Sequence, residues 1–356
     1  MTKVLLIQDV ISNYRVPVYN IMAHQFDFTM LYISGKVPEN VNFPVIRHGA
    51  FHIGPLKLYK WGFSKILKNY DVVVFPLNSM EGSIIWSIFK SKISKKIKFI
   101  PWGIGVPASY NVRFDDPAKQ KYVTLTKWLI NISDAVIFYT DYPVKKYMNM
   151  GVDKSKMFVA HNTVEVLPLI GGKQKNSILF IGTLYRAKSS MNMLEYYKRA
   201  YQKNKNIPLL RIVGGGDEYN DINKWIENNN LKEKIILEGP VFDELKLRDF
   251  FETAHACVSL GQAGLSVQKA MGYSVPFITT ANAYTGGERL DIVNGENGVL
   301  LSKESDFENI VLEIAVNPEI YLKMGERCFS FYKENRTVQM MADSAISAIN
   351  SVIQQS

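Results

Sequence analysis

Two segments carry most of the chemistry this sequence offers. The first, Gly182-Thr183-Leu184-Tyr185-Arg186-Ala187-Lys188, follows the apolar run Ile178–Ile181. A glycine at a strand end lets the backbone turn closely, and two cations two residues apart then stand beside it. Arg offers a planar fork of donors and Lys a point charge, which together suit a diphosphate. The second, Gly261-Gln262-Ala263-Gly264-Leu265-Ser266, follows Ala256–Leu260 and runs into a helical pattern through Ala270-Met271-Gly272. A small-residue loop that opens a helix exposes unpaired amides at a positive dipole end, which is an anion pocket. The plainer readings are a basic surface turn for the first segment and a tightly packed turn for the second.

Two further glycine clusters carry less. Gly214-Gly215-Gly216-Asp217 also follows a strand but lacks the spacing of the dinucleotide fingerprint. Gly286-Gly287-Glu288 precedes Asp291, and either acid could accept hydrogen bonds from sugar hydroxyls. The sequence contains no Asp-x-Asp pair, no Walker loop and no Gly-x-Ser-x-Gly elbow. No metal site and no cofactor is expected. A departing diphosphate would be stabilised by preorganised cationic side chains and a helix end.

These loops need strands and helices to hold them. Short apolar runs at Val4–Gln8, Phe28–Ile33, Val72–Phe75, Lys98–Pro101, Ala135–Tyr139 and Met157–Ala160 alternate with helical patterns at Pro17–His24, Gly82–Phe89 and Pro143–Met150. The pattern restarts with strands at Ile178–Gly182, Leu209–Val213, Ile235–Glu238, Ala256–Leu260, Pro276–Thr280 and Gly298–Leu301. Helices fit Met191–Asn204, Tyr219–Asn229, Leu245–Thr253, Leu265–Tyr273, Phe307–Val316 and Val338–Gln354. Alternation of this kind marks an α/β protein with parallel sheets covered on both faces. The expected division is 1–166 as a first Rossmann-like domain, 167–176 as a polar, glycine-bearing linker, 177–335 as a second such domain, and 336–356 as a helix packing back toward the first. Ligands bind beyond the carboxyl ends of strands in open α/β sheets, so two such domains facing each other would place the site in a central cleft.

Charge is unevenly placed. Residues 1–166 hold 21 Lys/Arg against 11 Asp/Glu, and the remainder hold 21 against 22. The excess concentrates in Lys57, Lys60, Lys65, Lys68, Lys90, Lys92, Lys95, Lys96 and Lys98. Besides a solvated face, this suggests a surface resting on anionic lipid. Nucleic acid is not expected, because no recognised binding module accompanies the charge. The two cysteines, Cys257 and Cys328, make no disulfide framework and suit a reducing compartment. No secretion signal and no run of about 20 apolar residues is visible. The expected location is cytoplasmic, with any membrane contact peripheral.

Taken in order, these segments resemble the GT-B glycosyltransferases of family 4 (group 1) along essentially the whole chain. The more specific part is the second half: Phe180 through Lys188, Arg211-Ile212-Val213-Gly214-Gly215-Gly216, Ile236 through Val241, Val258 through Pro276, and Asn297-Gly298-Val299-Leu300. The resemblance implies that the C-terminal domain binds a UDP- or GDP-type sugar nucleotide and transfers its sugar with retention of configuration. Arg186 and Lys188 would meet the diphosphate, with Gly182, Thr183 and Gly214 beside them. Gly261, Gly264, Leu265 and Ser266 would meet the distal phosphate, Gly239, Pro240 and Val241 would lie near the base, and Lys269 and Glu288 would complete the donor side.

The first half resembles a subgroup acting in surface polysaccharide assembly, through Asn13 to Asn20, Pro101-Trp102-Gly103-Ile104-Gly105 and Val159 to Glu165. Asn13, Tyr14, Arg15, Trp102, Gly103 and His161 are then the acceptor-side candidates, the acceptor being a saccharide carried on lipid. The chain departs from the family where two glutamates with seven residues between them are usual: it has Gly261 and Lys269. It also has Ile104 where the subgroup tends to have histidine. That departure keeps open a non-catalytic binding protein on the same fold, or a sugar-nucleotide epimerase.

Overall fold

The computed structural model describes residues 1–94, 97–109 and 112–354. Lys95 and Lys96, two members of the basic stretch, lie outside the described residues. The chain divides into two compact units. Unit 1 comprises Met1–Pro107, Asp115–Asn162 and Thr337–Ser356, and unit 2 comprises Ala108–Phe114 and Thr163–Arg336.

Unit 1 contains strands β1 (Lys3–Gln8), β2 (Asp27–Tyr32), β3 (Val45–Arg47), β4 (Ala50–Ile53), β5 (Leu56–Tyr59), β6 (Val72–Pro76), β7 (Lys98–Gly103), β8 (Val136–Phe138) and β9 (Met157–Val159). Its helices are α1 (Val16–Ala23), α2 (Phe63–Leu67), α3 (Gly82–Ser94), α4 (Gln120–Ile132), α5 (Tyr142–Asn149) and the last helix of the chain, Val338–Gln354. Seven strands form a parallel sheet in the order β3-β2-β1-β6-β7-β8-β9, while β4 and β5 form a separate antiparallel hairpin. Alternate residues serve opposite faces. Val4, Leu6, Val72, Val74 and Ile100 pack with α1 and the last helix. Leu5, Val73, Phe75, Phe99 and Phe138 pack with Ile84 and Ile88 of α3 and Leu129 of α4. With both faces covered, the strands read as unbroken apolar runs.

Unit 2 contains β10 (Ser177–Ile181), β11 (Leu209–Val213), β12 (Ile235–Gly239), β13 (Ala254–Val258), β14 (Phe277–Thr280) and β15 (Gly298–Leu301). Its helices are α6 (Ser190–Lys203), α7 (Tyr219–Asn228), α8 (Glu244–Glu252), α9 (Ser266–Gly272), α10 (Phe307–Val316) and α11 (Pro318–Asn335), which makes Val338–Gln354 α12. The sheet is parallel throughout, in the order β12-β11-β10-β13-β14-β15. Both sheets therefore wind outward in two directions from their first strand. The reversal falls between β1 and β6 in unit 1 and between β10 and β13 in unit 2.

The structure adds β3, the β4–β5 hairpin, α2, α4 and α11 to the elements legible in sequence. Helix α4 is rich in β-branched residues, which have modest helix propensity. It forms because Val123, Thr126, Leu129 and Ile130 share a buried face. Residues 167–176, expected as a linker, lie inside unit 2. There the Leu167 amide donates to the Tyr273 hydroxyl (3.1 Å) and the Ile170 amide to Glu252 (2.5 Å). The division falls instead between Asn162 and Thr163.

Candidate active site

At the reversal point of unit 2, backbone atoms do most of the positioning. The Gly182 amide donates to the Val213 carbonyl (3.0 Å), Leu184 to Gly215 (2.9 Å) and Gly214 to Gly239 (2.8 Å). The loops after β10, β11 and β12 are thereby stitched into one layer, with Pro240 packed on Gly215. Gly214 has φ +151°, and a β-carbon there would overlap the Gly182 carbonyl. On the other side of β10, the Gly261 amide donates to the Lys188 carbonyl (3.2 Å). A β-carbon on Gly261 would overlap the Ala187 carbonyl. The Tyr185 hydroxyl donates to Gln262. The single 3-10 turn Arg186–Lys188 is thus gripped from both sides.

The side chains in this layer differ sharply. Lys188 is 8% exposed, and among the described residues its ammonium makes no hydrogen bond or ion pair. Burial pushes its pKa down to about 8, against the pull of Cys257 and Glu288. Arg186 is exposed. Its charge reaches Glu218, whose pKa is raised by burial and by Asp221, with Arg186 opposing. The amides of Gly264, Leu265 and Ser266 have no acceptor among the described residues. Thr183 is exposed, and Val241 is partly buried against the unit 2 core.

Two expected donor-side residues are engaged within unit 2. Glu288 is buried and accepts bonds from the Thr285 hydroxyl (3.1 Å) and the Gly286 amide (2.8 Å). Lys269 donates to both oxygens of Glu244 (2.8 and 2.7 Å). The Lys269 cation is therefore neutralised locally. What remains open is a desolvated cation, an exposed guanidinium and a run of amides without acceptors among the described residues, groups whose chemistry suits an anion. A buried charge without a partner is costly, and an arriving phosphate supplies one.

In unit 1, Asn13 and Tyr14 stand exposed on a 3-10 turn after β1, and Gly103 ends β7. Two other candidates on this side are buried. Arg15 is buried: it bonds to Asn162 and to the Met341 sulfur (2.8 Å), and it lies over the Tyr139 ring. Trp102 is 3% exposed and packs beside Tyr19 and Tyr139 in the core. His161 sits 3.4 Å from Asp141.

The structure also shows an ion cluster that the sequence reading did not assemble. The Lys57 ammonium bonds to Asp9 and to Glu81 (3.1 Å), and the Tyr59 hydroxyl donates to the other Glu81 oxygen (3.1 Å). Lys57 and Glu81 are buried, whereas the Asp9 side chain is mostly exposed. Burial raises the Glu81 pKa, with Lys57 opposing. Asp9 directly follows β1 and Glu81 follows β6, so the cluster marks the unit 1 reversal point. The strand-end rule that selected Arg186 and Lys188 could have found it. Lys57 was instead counted among surface lysines.

Solved structures share this architecture along nearly all of the chain. HepE of Anabaena in complex with UDP superposes with a TM-score of 0.73 at 12% identity, covering 98% of this chain and 100% of its own. A glycosyltransferase from Rickettsia africae gives 0.70 at 15% identity, covering 100% and 99%. TarM of S. aureus, in complex with fondaparinux, alpha-GlcNAc-glycerol and UDP, gives 0.69 at 12% identity, covering 98% and 100%. This is the GT-B fold. Residues 171–328 match the family described as Glycosyl transferases group 1. The chain is also 24% identical over 326 residues to the uncharacterized glycosyltransferase MJ1069 of Methanocaldococcus jannaschii, covering 83% of this chain and 81% of that protein.

Proposed function

We propose that the protein is a retaining glycosyltransferase that moves a sugar from a nucleoside-diphosphate sugar to a lipid-linked saccharide in surface-polysaccharide synthesis, at the inner face of the cell membrane. The observation that carries this reading is the Lys188 ammonium, buried with no hydrogen bond or salt bridge among the described residues at the reversal point of a group 1 domain. As the bond from the anomeric carbon to the phosphate oxygen breaks, negative charge collects on the departing diphosphate. Lys188 and Arg186 stabilise that charge, and the amides of Gly264, Leu265 and Ser266 hold the distal phosphate. The loop Gly239–Val241 borders the base. The acceptor hydroxyl approaches the face that the diphosphate leaves, and its proton passes to the departing phosphate oxygen. The new bond then keeps the anomeric configuration without a protein base. Asn13, Tyr14 and Asp9 of unit 1 supply polar contacts for the acceptor, and the basic face of unit 1 meets anionic lipid.

HepE has been solved with UDP and with UDP-glucose, which favours UDP as the nucleotide here. The decisive experiment measures thermal stabilisation by UDP, GDP and ADP. A ligand at 100 times its dissociation constant adds about 2.7 kcal/mol. The expected result is an upward shift with UDP; no shift with any diphosphate sinks the proposal. A second reading, a saccharide- or protein-binding member without turnover, is favoured by Gly261 and Lys269 at the usual glutamate positions. Acceptor-dependent release of free nucleoside diphosphate separates the two.

A further inference from the structure

Helix α3 is apolar on two sides. Ile84 and Ile88 face the core of unit 1. Trp86 (61% exposed), Phe89 and Ile93 (89% exposed) stand on the outer side at positions i, i+3 and i+7. The outer face of a surface helix is ordinarily polar. Here the charged residues interspersed with these three are Lys90, packed over the Trp86 ring at 5.1 Å, and Lys92. The stripe extends in both directions. Trp128 of α4 lies 6.2 Å from the Phe89 ring. At the other end, Trp86 shares a cavity of about 450 Å³ with Phe51, Lys60, Trp61 and Lys65, and Trp61 is 94% exposed. An apolar surface this continuous marks an interaction site.

We infer that this face of unit 1 docks on an anionic phospholipid surface, with Trp61, Trp86, Phe89 and Ile93 entering the headgroup boundary and Lys60, Lys65, Lys90 and Lys92 binding lipid phosphates. The inference rests on the membrane partnership proposed above and defines its contact surface. The basic stretch as a whole does not serve: Lys57 is buried in its ion cluster, and Lys98 lies 3.8 Å from Asp134. Of the remaining described lysines, Lys60, Lys65, Lys90 and Lys92 interleave with the aromatic residues. The acids between Leu56 and Ser94 are Asp71, which accepts from the Lys3 amide, and the buried Glu81. Protein interfaces exclude Lys from their cores. An aromatic face mixed with lysine instead suits the headgroup region, where ring bodies bury and ammonium tips reach phosphate. Among the described residues no helix is long and apolar enough to cross a membrane, so this contact is peripheral.

The test is cosedimentation of the full chain with vesicles of phosphatidylglycerol in phosphatidylcholine, or of phosphatidylcholine alone. The expected result is salt-sensitive binding to the first and at least tenfold weaker binding to the second. The double substitution Trp61→Ser and Trp86→Ser should cut binding at least tenfold while the shift with UDP stays at its wild-type value. That retained shift separates this inference from the donor reading, which has its own readout. Equal binding by the double variant, no binding to phosphatidylglycerol, or self-association in solution through the same residues would overturn the assignment.

Discussion

The two reversal points use a buried lysine in opposite ways. In unit 1, Lys57 is flanked by Asp9 and Glu81, so its charge is compensated within the protein. In unit 2, Lys188 is buried to a similar degree, feels Glu288 only at longer range, and makes no salt bridge among the described residues. A compensated cluster is complete as it stands and leaves one exposed carboxylate for neutral, hydroxyl-rich ligands. An uncompensated ammonium is a deficit that an anionic ligand removes. One sheet end is thus stable alone, and the other is poised for a guest.

The sharpest way to break this comparison is to remove each lysine. Replacement Lys57→Met should cost about 3–5 kcal/mol in denaturant unfolding at neutral pH, because it strands the buried Glu81 carboxylate. Part of that loss should return as pH falls toward the Glu81 pKa. A carboxyl whose folded pKa is raised binds its proton more tightly when folded, so acid favours the native state. An unchanged denaturation midpoint would mean that the cluster is solvated. Replacement Lys188→Ala should do the reverse: turnover falls roughly 10²-fold or more, while thermal stability holds or rises, since a desolvated charge has been deleted. A substantial loss of stability would place Lys188 among the structural ion pairs instead.

Smaller effects sharpen the same contrast. With a free-state pKa of about 8, Lys188 loses its proton above that pH. Diphosphate affinity should therefore decline above pH 8, by up to about tenfold per unit, and the decline should be absent in the Lys188→Ala protein. Calorimetric titration across pH 7 to roughly 9.5 checks this. Replacement Asp9→Asn should raise the acceptor KM only about two- to fivefold, the value of one charge-assisted hydrogen bond, and leave diphosphate binding as it was. A change in diphosphate affinity would contradict a role confined to acceptor binding.

How legible each region was follows from the same physics. The strands of both sheets could be read because full burial writes unbroken apolar runs, as in Val72–Pro76 and Leu209–Val213. The unit 2 loops could be read because close backbone approach admits only glycine at positions such as Gly214. The β4–β5 hairpin, exposed along β4, wrote no such pattern. The Asp9–Lys57–Glu81 cluster was opaque because its members are 48 and 24 residues from Lys57 and meet only through the fold. The burial of Trp102 and Arg15 was not legible for the converse reason: residue types suited to binding carbohydrate also suit a packed interior.

Helix α12 has a consequence for how the molecule is made. Met341, Ala342, Ala345, Ala348 and Ile349 complete a core whose other members begin at Val4. During synthesis from the amino terminus, nearly all of unit 2 is made before that wall of unit 1 exists. The nascent amino-terminal sheet must wait with one oily side only partly covered, by α1 alone, the kind of surface that chaperones hold. Residues 163–336 meanwhile have everything their own interior requires. The portion translated first is thus the portion that matures last.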